Sequence, residues 1–348
     1  MLNRNILMVL GGILIVLIVI SVAQTRCHRE ATSRPSSEVL LPGEFARADL
    51  GRLVIGYGAE SDAVVLEQTP EGWRVATAWN ARAADQRLDT LLQSLSDLRG
   101  EFRSSSEEVL ADYGFTDTTT ITISGFHPDG GEAFAIELGG APSGSQGNFV
   151  KKPGASDVYL TTQNVRGNLG LWGASGRPAS RHFLELQAYK VDRQEVDAIQ
   201  LRGEEAVDLV KEFAMVEPAP DDSVHTGPYS DRSQWEWRLE RPGGKTLGQA
   251  VKTKADGVLG AAVNLRAQDV ADPGAGPAAY GLDAPERQVT LVLAGGQRAT
   301  LAFGATREAE GTAPGGCYAQ VEGDPTIWVV GEYAVNNLFK TPKDLLPE

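Results

Sequence analysis

The side chains able to build a catalytic or metal centre are few and scattered. Four histidines, His28, His127, His182 and His225, lie far apart in the chain. None stands in the His-Glu-x-x-His spacing that sets two imidazoles and a base on one helix face. Cys27 and Cys317 are the two cysteines, so no Cys-x-x-Cys pair exists to hold a metal or cycle between thiol and disulfide. There is no Gly-x-x-x-x-Gly-Lys-Ser/Thr loop for nucleotide phosphates and no Gly-x-Ser-x-Gly elbow for a serine nucleophile. Asp221, Asp222 and His225 invite an acid–base reading. Pro218, Pro220 and Pro228 place them in a polar loop, where adjacent carboxylates are ordinarily just solvated. The segment Gly139-Gly140-Ala141-Pro142-Ser143-Gly144-Ser145-Gln146-Gly147 has the composition of a phosphate cradle. It runs between two strand-like stretches with no helix N-terminus to receive an anion, and reads as a hairpin loop. No catalytic, cofactor-binding or metal-ligating residue is assigned, and a non-enzymatic protein is expected.

The elements around these residues are organised by a duplication. Ala279-Tyr280-Gly281-Leu282-Asp283-Ala284-Pro285 echoes Asp112-Tyr113-Gly114-Phe115-Thr116-Asp117. In both, Tyr-Gly suits a chain reversal, because glycine enters positive φ without steric penalty. In the second copy Asp283 suits a turn, and Pro285 launches the chain as a strand. Each motif is followed by a hairpin: Ile121 and Ile123 with the return residues Phe134, Ile136 and Leu138, then Val289, Leu291 and Leu293 with Ala299, Leu301 and Phe303. Gly139 and Gly304 end the return strands. Asn148-Phe149-Val150 corresponds to Cys317-Tyr318-Ala319, Asp157-Val158-Tyr159-Leu160 to Thr326-Ile327-Trp328-Val329, and Trp73-Arg74-Val75 to Trp237-Arg238-Leu239. These matches keep their order at an offset of about 165 residues, the mark of an internal repeat. Trp73, Trp237 and Trp328 fall at equivalent strand positions, which favours core packing over a ligand groove. Leu88, Leu91, Leu92, Leu95 and Leu98 form one helical stripe, with Asp85 at its start; Val258, Leu259, Ala262 and Leu265 form a second, weakened by Gly257 and Gly260.

The fold class expected is α+β: an N-terminal transmembrane anchor, then two tandem repeats, each an antiparallel β-sheet with one amphipathic helix. The expected boundaries are an anchor at 1–27, a linker at 28–48, repeat one at 49–190 and repeat two at 191–348 with an insertion at 217–234. Ile6–Ala23 is an uncharged apolar run of the length that makes a membrane-span candidate, roughly 18 residues. Ser21-Val22-Ala23 offers a signal-peptidase site, but the long apolar core favours an uncleaved anchor. Arg26, Arg29 and Arg34 follow this run and only Arg4 precedes it, so positive-inside counting places the bulk of the chain in the cytoplasm. An export signal would place it outside, and charge leaves the orientation open. The chain of 348 residues is long enough for two domains with real cores. Its formal net charge of -14 argues against a general nucleic-acid binder.

The chain resembles a bacterial tandem-repeat family of unknown function found beside gliding-motility-type ABC-transporter genes. The resemblance rests on Leu40-Leu41-Pro42-Gly43, Gly72-Trp73-Arg74-Val75, Ala84-Asp85, Tyr280-Gly281-Leu282-Asp283-Ala284-Pro285, Gly304 and Cys317-Tyr318-Ala319. The first copy departs from the pattern at Phe115-Thr116-Asp117-Thr118, and the 217–234 insertion is unusual for the family. The resemblance implies a single-pass protein of the inner membrane, its C-terminal bulk facing the periplasm. It implies an accessory role beside an ABC-transporter permease and its auxiliary subunit, and no catalytic residues. The structural motif residues carried forward are Trp73, Tyr113, Gly114, Trp237, Tyr280, Gly281, Asp283 and Pro285. Two other functions stay open, a free-standing envelope module binding lipid, glycan or peptide, and a hydrolase with dispersed residues.

Overall fold

Period-two alternation becomes antiparallel pairing along nearly the whole chain. Ile121 and Ile123 alternate with Thr122 and Ser124, and the strand Ile121–Phe126 buries the isoleucines while half-exposing the residues between them. The computed structural model describes residues 37–348, except 42, 44, 143–146, 173–175, 219–226 and 312. Two units divide it: one holds residues up to 68 together with 86–182, the other 69–85 together with 183–348.

In the first unit the strands lie in the order Glu38–Leu41, Leu98–Ser104, Val158–Thr161, Asn148–Lys151, Glu132–Leu138, Ile121–Phe126, Arg52–Tyr57 and Glu60–Thr69. The helix Asp85–Leu95 buries Leu88, Leu91, Leu92 and Leu95 on one stripe. Each such leucine contributes about 1.5–3 kcal/mol relative to exposure. Asp97, at φ 49°, turns the chain out of the helix, and Leu98 begins a strand.

The second unit repeats this order. Asp269–Ala271, Ile327–Val330, Gly316–Val321, Arg298–Arg307, Arg287–Leu293, Val196–Arg202 and Val207–Val216 follow one another, and Tyr229–Arg241 and Lys245–Gln249 complete the sheet. From Val158–Thr161 to Glu60–Thr69 and from Ile327–Val330 to Val207–Val216 the two sequences of strands coincide, so the duplication extends to topology. The helix Lys252–Val263 buries Ala255, Val258, Leu259, Ala262 and Val263. Residues 69–85 join this unit through backbone bonds: Ala84 N–H donates to Phe183 O and Glu185 N–H to Arg82 O.

Several expectations are corrected. The α+β class gives way to a mostly β protein, 44% strand and 23% helical, with sheets of ten and nine strands. Leu98 and Leu265 continue the helical stripes in sequence yet lie in strands, because each helix stops short of them. Part of the expected linker, Glu38–Leu41, is an edge strand paired with Leu98–Ser104, and it buries Leu40 and Leu41. The expected insertion 217–234 is partly sheet, since Tyr229–Arg241 begins well inside it. The expected anchor, Ile6–Ala23, lies outside the described residues, and among the described residues no helix is long and apolar enough to cross a membrane. The single-pass inner-membrane placement with a periplasm-facing bulk is therefore set aside.

Candidate functional site

The inward face of one long hairpin breaks the apolar rule at a single slot. Val207–Val216 pairs with Tyr229–Arg241 in the register Leu209↔Leu239, Lys211↔Trp237 and Phe213↔Trp235. Side chains two residues apart share a face, so Lys211 stands where the pattern demands a hydrophobe. It is 6% exposed. Its ammonium lies 3.8 Å from the Trp235 ring centroid and 5.6 Å from that of Trp237, and it donates to the Arg193 carbonyl. Past Phe213 the register jumps from Trp235 to Asp231, and this bulge brings Arg232 over the Phe213 ring at 4.6 Å. Asp231 holds the bulge by accepting bonds from Ser233 and Gln234, which keep its carboxyl below the usual range.

Further cations converge on the same indole. The Lys252 ammonium is 5.0 Å from the Trp235 centroid and donates to the Trp235 carbonyl; the Arg193 guanidinium is 5.8 Å from the centroid. Asp256, on the helix Lys252–Val263, accepts from both indole N–H groups, Trp235 Nε1 at 3.1 Å and Trp237 Nε1 at 2.8 Å. Asp197 takes Arg232 at 2.6 Å. Among the described residues, Arg193, Lys211, Arg232 and Lys252 thus outnumber Asp197, Asp231 and Asp256, in a chain whose net charge is -14. The helix adds to the imbalance, because its first turn carries Lys252 and Lys254 and no acidic residue. The outward face of the same hairpin is balanced instead: Arg238 bonds Glu212 and Glu240. Burial, then Arg232 and Arg193, push the Lys211 amine down from 10.5 to about 8. A partly neutral amine suits nucleophilic chemistry. Here it is turned inward and donates to the Arg193 carbonyl, beside the indole that Arg193 and Lys252 also approach.

The repeat motif does a different job. Tyr113 and Tyr280 each end a short 3-10 turn, and Gly114 and Gly281 follow in left-handed backbone at φ 81° and 67°. The tyrosine carbonyl then meets the return strand so closely that a Cβ on Gly139, just past Glu132–Leu138, would lie 2.3 Å from Tyr113 O, and one on Gly304, which lies within Arg298–Arg307 rather than ending it, 2.1 Å from Tyr280 O. The rings pack on equivalent partners, Tyr113 on Phe149 at 4.8 Å and Tyr280 on Tyr318 at 4.6 Å. Tyr280 also donates to Asp272 O at 2.8 Å, and burial raises its phenol. Asp283 is exposed and Pro285 half-buried in the loop before the strand Arg287–Leu293. Trp73 and Trp237 are buried in core positions. The motif residues are therefore spread over both units as packing devices, and Trp237 alone also touches the cationic cluster.

A family described as "Domain of unknown function (DUF4340)" matches residues 73–225 and 231–347, in two tandem segments. The chain belongs to this family. No curated protein matches the chain, and no solved structure does. The matched segments contain Arg193, Lys211, Arg232, Trp235 and Lys252, so the cluster lies within the family's own domain.

Among the described residues, the histidines and the cysteine do not join it. His182 bonds Asn168 O at 3.0 Å, and burial, then Arg87, lower its pKa; His127 bonds Asp49 O at 3.0 Å. Cys317 is buried beside Arg287, and burial raises its thiol. Cys27, His28, Asp221, Asp222 and His225 lie outside the described residues, as does 143–146 of the glycine-rich loop. Among the described residues no group of three His, Cys, Asp or Glu side chains could hold a metal ion. Sequence reading passed over Lys211, although a signal was present: a lysine two residues after Leu209 and two before Phe213, in an otherwise apolar alternation.

Proposed function

We propose that the chain is a non-enzymatic accessory subunit of a gliding-motility-type ABC-transporter complex, acting as a binding or scaffold module toward the permease and its auxiliary subunit. The observation that carries the binding role is the cationic cluster around Trp235, a charge-inverted patch on an acidic chain, set on a rigid sheet. The transporter context comes from the family resemblance of the sequence. Crosslinking of a tagged full-length chain in cells, then detergent extraction and mass spectrometry, tests it. Recovery of the permease and ATPase is expected; recovery of the chain alone overturns the assignment.

One observation favours a second reading, a free-standing ligand-binding module. A cleft of about 1010 Å³ in the second unit is lined by Lys254, Gly257, Val258, Tyr333, Lys340 and Leu346 among others, with Tyr333 82% exposed. A lipid, glycan or peptide co-purifying with the chain and displaced by Tyr333→Ser would support that reading.

A further inference from the structure

We propose that the cluster of Arg193, Lys211, Arg232 and Lys252 around Trp235 is a docking site for an acidic segment of a partner protein. This rests on the accessory-subunit reading above and names the surface through which that role is exercised.

The argument is charge complementarity on a shaped surface. Arg193 and Lys252 are exposed, and both reach the Trp235 ring. The Arg193 guanidinium lies 5.8 Å from the indole centroid, and a guanidinium presents a fork of N–H groups able to grip a carboxylate. Lys252 donates to the Trp235 carbonyl. An ammonium carries three donors, so two stay available to a ligand. Lys211 is shielded from solvent behind them and adds a positive field that water and salt screen weakly. Asp197 is paired with Arg232, and Asp256 bonds both indoles, so neither carboxylate forms an ion pair with Arg193 or Lys252.

The surface beside the cations is apolar. Met215 is 65% exposed at the end of the hairpin, and Phe213 is half-buried under Arg232. A segment that carries carboxylates with an apolar side chain beside them satisfies both features. In the first unit the strand at the same place in the sheet order, Glu60–Thr69, holds no lysine or arginine, so Lys211 has no counterpart there.

The test titrates the full-length chain with an oligoglutamate peptide bearing one leucine, following tryptophan emission and calorimetric heat. Saturable binding that weakens with added salt is expected, reduced at least about tenfold by Arg193→Glu or Lys252→Glu, since each reversal sets like charges together. Lys252→Glu gains from the helix dipole but sets a carboxylate four residues before Asp256, so its urea midpoint is measured alongside, and loss of binding with a wild-type midpoint is the expected result. Lys245→Glu, an exposed lysine on the edge strand, serves as control and leaves binding unchanged. Equal loss in the control, or no binding, overturns the proposal. Preferential binding of inorganic phosphate or of phosphatidylglycerol vesicles overturns it in favour of a phosphate site. Self-association abolished by Lys252→Glu overturns it in favour of a second copy as occupant. In the crosslinking experiment, transporter subunits recovered equally with wild type and Lys252→Glu remove this site and keep the accessory role. Their absence with wild type removes the role itself.

Discussion

Replacing Lys211 by methionine separates the energetics of the cluster from its charge. Burial, Arg232 and Arg193 bring the amine from 10.5 to about 8. At about 1.4 kcal/mol for each pH unit, the folded chain disfavours the ammonium by roughly 3 kcal/mol. The folded value lies below the unfolded one. Below about pH 8 both states are charged and the folded chain carries the whole penalty. Between about 8 and 10.5 the folded chain has released a proton that the unfolded chain still holds, so stability rises with pH. Methionine fills the slot without charge and loses the cation–π contact with Trp235 and the bond to the Arg193 carbonyl, together about 1–2 kcal/mol. Lys211→Met is therefore expected to stabilise the chain by ~1–2 kcal/mol near pH 7, with that advantage shrinking by ~3 kcal/mol toward pH 10.5. Urea unfolding followed by tryptophan emission, repeated across this range for both proteins, reads the difference. Taking that difference removes other groups that titrate there, such as Tyr189, whose phenol is raised by burial. A difference that stays constant with pH, or a mutant clearly less stable than wild type at pH 7, refutes the reasoning.

Other positions test the packing argument. Gly139→Ala and Gly304→Ala each drive a methyl into a tyrosine carbonyl, at 2.3 and 2.1 Å, so each is expected to destabilise by about 2–3 kcal/mol or more, seen as a lowered Tm. Gly257→Ala and Gly260→Ala meet open space on a helix, and each is expected to stabilise by ~0.5–1 kcal/mol in the same assay. Leu91→Ala removes a fully buried side chain from the helix Asp85–Leu95 and is expected to cost about 2–5 kcal/mol in chemical denaturation.

What was legible in the sequence was local or repeated. Ile121 and Ile123, or Val289 and Leu291, show their strands by alternation, and the leucines from Leu88 to Leu95 show their helix by period. Matching Phe149 to Tyr318 is echoed in space, where each packs on the tyrosine of its own copy. What stayed hidden was set by long-range pairing. Glu38–Leu41 is too short to announce a strand and is one because Leu98–Ser104 offers an edge. Leu98 and Leu265 fit a helical period, but the turn at Asp97 and the end of the second helix at Val263 assign them to strands. The cluster was half visible. Lys211 interrupts an apolar alternation, yet Arg193 and Lys252 come from separate elements and meet at Trp235 only in the folded unit, where Arg232 covers the neighbouring Phe213.

The two copies share a sheet order but differ where this cluster lies. Glu60–Thr69 closes into a tight turn, with Thr69 Oγ1 donating to Gly72 O at 2.8 Å. Val207–Val216 is the same length but runs beside Tyr229–Arg241 past a bulge, and that strand, 13 residues against 4 in Gly72–Val75, carries Arg232 on its extension. Nothing in the shared topology requires that extension, because the first copy builds the same order of strands without it. Nor does folding favour a lysine at position 211, where an apolar residue would relieve like-charge repulsion and desolvation together. A side chain that lowers stability within a surface feature the scaffold does not need is the signature of a constraint other than folding. The stability and docking experiments bear on this jointly. If Lys211→Met gains stability and loses affinity for the acidic peptide, the second copy holds its positive field at a cost to its fold. If it gains stability with affinity intact, binding rests on Arg193, Arg232 and Lys252, and the buried lysine has no part in it.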